Sequence, residues 1–281
     1  MIQRSSSLTN ETGGTSLGRK RAFRTLMGEV AAPVIVFLLV ISAWHLIVTA
    51  GRISPVVMPG PMLVLDAMIK IRSDLLAALF RTLLAALSGL SLSILGGTIT
   101  AFVFSQAAFI RRALYPYAVL LQTVPIIAIA PIVIVVLGRG FAGIVLISCL
   151  ISLFPIITST TTGLLQIDSG HQDLFRLYRA SRWQILMKLR VPTALPYLIS
   201  GIRISSGTAI VGAIVGEFFV GSSTPGLGVL IQRKFAALNL PELYAVVAVS
   251  TVLGAAMFGV ITLLGEAILK KWYGMSLSGR R

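Results

Sequence analysis

Apolar positions along this chain come in long runs, separated by short clusters of charge. No Asp, Glu, Lys or Arg occurs between Glu29 and Arg52, Arg81 and Arg111, Arg112 and Arg139, Arg139 and Asp168, or Glu242 and Glu266, gaps of 22, 29, 26, 28 and 23 residues. A helix needs about 20 mainly apolar residues to cross a hydrocarbon core, so each gap is long enough. Ala194 to Val220 is a further run, interrupted only by Arg203 and Glu217. Lipid offers backbone groups no water to bond, which makes helices the expected form rather than loops or open strands. The pattern predicts an all-α polytopic bundle of six spans, near residues 30–50, 83–106, 113–137, 140–165, 194–220 and 244–269.

Composition narrows the class. Hydrophobic residues make up 56% of the 281 positions and charged residues 12%, whereas soluble domains carry about 25% charge. A soluble globular enzyme is therefore excluded. The formal charge is +15, from 24 Lys+Arg against 9 Asp+Glu; in so apolar a chain the polyanion to expect is membrane lipid, not nucleic acid. Cys149 is the only cysteine, so neither an intrachain disulfide nor a cysteine metal framework can form. His45 and His171 have no carboxylate or cysteine at ligand spacing, and the serines lack the His and Asp partners of a hydrolase. No metal, cofactor or catalytic residue is expected.

Three parts follow along the chain: a flexible basic tail over 1–28, a transmembrane domain over 29–273 and a short tail over 274–281. Ser5 to Gly18 is rich in Ser, Thr and Gly, and Arg19, Lys20, Arg21 and Arg24 precede the first span. That span is longer than a signal-peptide core and reads as a retained anchor. With six spans, 16 Lys and Arg fall on the side of the N-terminus and 7 on the other. The bias places both tails in the cytoplasm. On the outer side, Met62 to Phe80 is amphipathic, with Asp66 and Lys70 spaced for a helix lying along the interface.

The inner connection over 166–193 carries the strongest local signal. Leu174, Leu177 and Tyr178 fall at i, i+3 and i+4, as do Trp183, Leu186 and Met187, while Arg176, Arg179 and Arg182 take other faces. Two short amphipathic helices with a turn near Ala180-Ser181 are expected. Pattern alone leaves two readings open, a basic helix pair resting on anionic lipid or a surface that docks on a partner protein.

Asp173-Leu174-Phe175, then Arg179, then Leu189-Arg190-Val191-Pro192 stand at the spacing of the EAA loop of bacterial ABC importer permeases. Ala194 to Arg203, Val215 to Phe218, Gly226-Leu227-Gly228 and Gln122 to Pro131 resemble the nitrate/sulfonate/taurine branch. Tyr178-Arg179-Ala180-Ser181 is closer to the thiamine-precursor and riboflavin importers. The loop departs from the pattern in having Asp for Glu, larger residues for both alanines and Arg179 for the glycine. A left-handed turn would strain an arginine, so the turn is expected to differ here or to rest on Ala180-Ser181.

The resemblance implies a bacterial inner-membrane permease with a type I importer fold. Its coupling residues are then Asp173, Leu174, Phe175, Leu177, Tyr178, Arg179, Ala180, Ser181, Leu189 and Pro192. The implied partners are two cytoplasmic ATPase subunits, a periplasmic or lipid-anchored solute-binding protein and a second copy of the chain. No phosphate-binding loop of the form G-x-x-x-x-G-K-[S/T] occurs, so ATP hydrolysis falls to another chain. The expected solute is small, of the nitrate, sulfonate or taurine kind, a thiamine-pyrimidine precursor, or riboflavin. A secondary transporter or a membrane scaffold would leave the loop spacing unexplained.

Three further residues are candidates for the translocation pathway. Glu217 is an acidic residue inside a span, which marks either a functional site or a hydrated structural carboxylate near the interface. Pro125 and Pro131 break the third span, as in helices that line cavities, although proline is also frequent in ordinary membrane helices.

Overall fold

The computed structural model describes residues 14–123, 125–167, 169–221 and 223–273, and the side chains of most of these from residue 31 onward. Every regular element among the described residues is helical: α1 (Gly14–Ala50), α2 (Pro61–Lys70), α3 (Arg72–Gln106), α4 (Ala108–Thr123), α5 (Ile126–Leu137), α6 (Phe141–Leu165), α7 (Ser169–Leu177), α8 (Arg182–Ile185), α9 (Val191–Phe219), α10 (Leu227–Ala236) and α11 (Leu240–Tyr273). A π-helical turn, Leu186–Arg190, joins α8 to α9. The tail segments 1–13 and 274–281 lie outside the described residues, and α1 begins inside the stretch read as a flexible tail.

The chain divides into two compact units, residues 1–63 and 64–281. The first contains α1, whose Ala31–Ala50 stretch is long and apolar enough to span a bilayer. In the second, the segments of that kind are Arg72–Gln106, Phe141–Leu165, Arg182–Phe219 and Leu240–Trp272. The expected amphipathic helix over 62–80 is interrupted at Ile71, and its second half continues into the span.

The third expected span is not one helix. It is divided into α4 and α5, 16 and 12 residues long, with Pro125 as the N-cap of α5. Proline has no N–H to extend the helix from α4. At about 18 Å, α5 alone is shorter than a hydrocarbon core. Gly138 and Gly140, with φ of 75° and 142°, let the chain turn back from α5 into α6.

The second unit is built round α6, packed between α3 and α9. Lipid tails are as apolar as leucine, so helix association must come from close backbone approach and hydrogen bonds. Small residues stand where the helices meet. A Cβ on Gly212 of α9 would lie 2.7 Å from the Cα of Ser148, and one on Gly216 would lie 3.0 Å from the Cα of Ile144. From α3, Gly89 packs on Ser148 and Gly97 on Ile156.

Buried hydroxyls connect the same three helices. Ser148 Oγ donates to the Ala209 carbonyl at 2.8 Å, and Ser205 Oγ to the Ser152 carbonyl at 2.7 Å. Ser152 Oγ lies 3.1 Å from Ser93 Oγ and donates to its own helix at Ser148. Apolar side chains fill the remaining volume, among them Ile147, Ile156, Ala209, Ala213 and Leu90.

Substitution tests this packing directly. Gly212→Val should lower stability by roughly 1–3 kcal/mol or more, because rigid backbone faces its new side chain. Gly207→Ala, with nothing within 4 Å of the added carbon, should be neutral or stabilising by up to about 1 kcal/mol. Thermal unfolding in detergent distinguishes them, and equal effects of the two would contradict the close contact.

Candidate functional site: a helix turn and a braced far end

Helix α7 contains Asp173, Leu174, Phe175 and Leu177. Its C-terminus is closed by two bonds: Tyr178 N–H donates to the Leu174 carbonyl at 3.1 Å and Ala180 N–H to the Phe175 carbonyl at 3.0 Å. The second skips one residue further than an α-helical bond, the mark of a Schellman turn whose penultimate residue is left-handed. That residue is Arg179, at φ 49°. The expectation that arginine would change the turn or shift it onto Ala180-Ser181 is corrected in this respect: the left-handed residue is Arg179. Arg179 adopts the conformation itself, at a cost of about 1 kcal/mol.

The next helix begins two residues later. Ser181 Oγ accepts from Gln184 N–H at 3.2 Å, and the Gln184 side chain accepts from Ser181 N–H at 2.8 Å. This reciprocal capping box satisfies free donors at the helix start. Both sides of the turn are thus held by local bonds. It presents Leu177 and Tyr178, 83% and 81% exposed, together with exposed Leu174 and Trp183. Asp173, Arg179 and Ser181 are also exposed, whereas Phe175 and Ala180 are half-buried.

Leu189 and Pro192 belong to a different place. They are half-buried where α8 runs through the π turn into α9. Pro192 offers no N–H to an i−4 partner, and the ladder steps to the wider spacing just before it, with Val191 N–H bonded to the Leu186 carbonyl. Arg190 Nη1 donates to the Ser105 carbonyl at 2.9 Å, a cation at the C-terminus of α3, where the helix dipole favours it. Tyr197 donates to the Gln166 side chain at 2.7 Å, tying α9 to the end of α6. The segment Arg182–Phe219 is therefore one 38-residue helical rod, roughly 55 Å long.

Glu217 lies near the other end of that rod and is 2% exposed. Thr82 Oγ1 on α3 is 2.8 and 3.0 Å from its two carboxylate oxygens. Gly228 N–H donates to Oε2 at 2.8 Å, and Leu227 N–H donates to Thr82 Oγ1 at 2.9 Å. Glu217 and Thr82 together cap the first turn of α10, where free N–H groups and the helix dipole favour an anion. The glycines of Gly226-Leu227-Gly228 make room, since a Cβ at Gly226 would overlap the Glu217 carboxylate and one at Gly228 the backbone of Ile214. Arg81 adds a bond to the Pro225 carbonyl at 3.1 Å.

The structure thus joins the Glu217 and Gly-Leu-Gly motifs through Thr82, which the sequence reading did not single out. Pro125 and Pro131 stand apart from this brace, exposed at the start and in the middle of α5. The geometry supports a structural role for the Glu217 carboxylate, its oxygens being bonded to Thr82 and Gly228.

Thr82→Val should destabilise the chain by about 1–3 kcal/mol, because it removes a donor to Glu217 and leaves Leu227 N–H unpaired. Thr82→Ser should restore most of that loss. Thermal unfolding of the two variants checks the brace, and an unaltered Thr82→Val would contradict it.

Residues 93–272 match the family model for the binding-protein-dependent transport system inner membrane component. The chain is 31% identical to the formylaminopyrimidine transport permease of Halalkalibacterium halodurans, over 90% of its own length and 98% of the relative's. It is 30% identical to the riboflavin transport system permease of Chloroflexus aurantiacus, over 85% and 89% of the two lengths. In fold it is similar to an inward-facing MetNI methionine ABC transporter structure, with a TM-score of 0.60, 18% identity and coverage of 72% of this chain and 97% of that one. The chain belongs to the binding-protein-dependent inner-membrane transport components, as the permease subunit of an ABC importer.

Proposed function

We propose that the turn between α7 and α8 is the contact through which an ATPase subunit moves this permease. The observation that carries the reading is the exposure of Leu177 and Tyr178 on a turn fixed by a Schellman closure and a capping box. Large apolar side chains on a rigid support are what an apolar groove can take up with little ordering cost. Asp173 flanks them as the charged partner, and Leu189 and Pro192 act at the joint with α9. Nucleotide hydrolysis comes from the ATPase, of which two copies serve a permease homodimer. A periplasmic or lipid-anchored binding protein delivers the solute.

In this reading residues 29–273 form the permease domain, the divided α4–α5 pair completes six spans, and both tails face the cytoplasm. The relatives named for formylaminopyrimidine and riboflavin support a small nitrogen heterocycle as solute. ATP-dependent uptake by the reconstituted complex, assayed with the two heterocycles and an aliphatic sulfonate, tests this. Uptake of the sulfonate alone would overturn the solute class, and uptake without an ATPase would overturn the mechanism.

Five variants examine the contact. Leu177→Ala or Tyr178→Ala should weaken ATPase association about 30-fold or more, as loss of an interface hot spot does. Asp173→Lys combined with Tyr178→Ala should abolish association and uptake while the chain still inserts. Arg179→Gly should keep both, because glycine adopts the required φ, whereas Arg179→Val should lose them. Normal association in the double variant would exclude the turn as the contact.

Topology has its own test. Single cysteines at Ser181 and Ser223, in a Cys149→Ser background, should react with an impermeant thiol reagent from opposite faces of the membrane. Reaction of both from one face would contradict the six-span arrangement.

A further inference from the structure

A cleft of 380 Å³ opens between the first turns of α4 and the last turns of α6, lined by Arg111, Arg112, Tyr115, Pro116, Thr161, Thr162 and Leu165. Its polar groups are of one kind. Arg111 and Arg112 make no side-chain hydrogen bond or ion pair with any described residue, and no acidic side chain is among the lining residues. The Thr161 side chain is 3% exposed, yet its hydroxyl has no hydrogen-bond partner. The neighbouring Thr162 hydroxyl, by contrast, is bonded to the Thr158 carbonyl at 2.9 Å. The Thr161 hydroxyl oxygen is itself sealed from the cleft, which leaves the two guanidinium groups as the free donors there. Two guanidinium groups lining one cleft constitute a site for a phosphate group.

The remaining lining favours a lipid as the source of that phosphate. Pro116, Leu165 and the ring of Tyr115, which stands edge-on to Phe104 at 6.2 Å, give the cleft an apolar wall. The cleft lies at helix ends, beside the point where α6 passes into the 166–193 segment. That is the level at which headgroups meet a bilayer-spanning bundle, and basic pockets between helices on the cytoplasmic side suit anionic headgroups.

We propose that this cleft binds the phosphate of an anionic phospholipid, held by Arg111 and Arg112. The site is separate from the α7–α8 turn and from the Glu217 brace. A bound headgroup joins α4 to the end of α6, from which the chain runs into the coupling segment.

Native mass spectrometry of the full-length chain tests the site, with phosphatidylglycerol and phosphatidylcholine of matched acyl chains titrated in. Wild type should retain one phosphatidylglycerol per chain in preference to phosphatidylcholine. Arg111→Gln with Arg112→Gln should reduce that retention at least about tenfold. Equal retention of the two lipids, or undiminished retention in the Gln variant, would overturn the proposal. Displacement of phosphatidylglycerol by millimolar inorganic phosphate would overturn the lipid source, assigning the cleft to a free anion.

Discussion

Helix α6 sits between α3 and α9 because glycine and serine stand where the three backbones come together. Within a bilayer no hydrophobic gain separates a helix packed on protein from one packed on lipid. What holds the unit together is backbone proximity at Gly89, Gly97, Gly212 and Gly216, and hydroxyl bonds such as Ser148 to Ala209 and Ser205 to Ser152. These contacts fix α9 as a rod against a rigid neighbour. Its two ends thereby acquire defined positions.

The ends differ in their chemistry. At one, a turn closed entirely by local bonds exposes Leu177 and Tyr178, and the π turn before Pro192 carries it into α9. At the other, Glu217 and Thr82 tie the rod to α3 and to the start of α10. A displacement of the turn therefore acts on a helix already engaged by α3 and α6 and held at its far end. The bond from Arg190 to the end of α3 makes the near joint a tether as well. In such an arrangement a push at the turn moves packed helices together instead of bending a loop.

Much of this was legible in the sequence, for physical reasons that differ by element. Uncharged runs locate membrane helices well because length and polarity are the criteria the bilayer imposes. The loop over 166–193 was legible because its helices are amphipathic at a period of 3.6 and its caps are local. The division of the third span was present in Pro125, but an apolar run alone does not say whether a proline kinks a helix or ends it. The turn at Arg179 was misplaced because propensity disfavours arginine there, while the Schellman bonds and the following capping box override that preference. The Thr82–Glu217 contact joins residues 135 positions apart. No local pattern marks Thr82, and only the bundle brings it to the carboxylate.

The account rests on the turn between α7 and α8 meeting the ATPase. A cysteine at Ala180 in a Cys149→Ser background, loaded with a short photoactivatable crosslinker in the reconstituted complex, measures that contact directly. The account predicts a crosslink to the ATPase subunit whose yield changes between nucleotide-free and ATP-trapped states. Crosslinking to lipid alone, in both states, would contradict it.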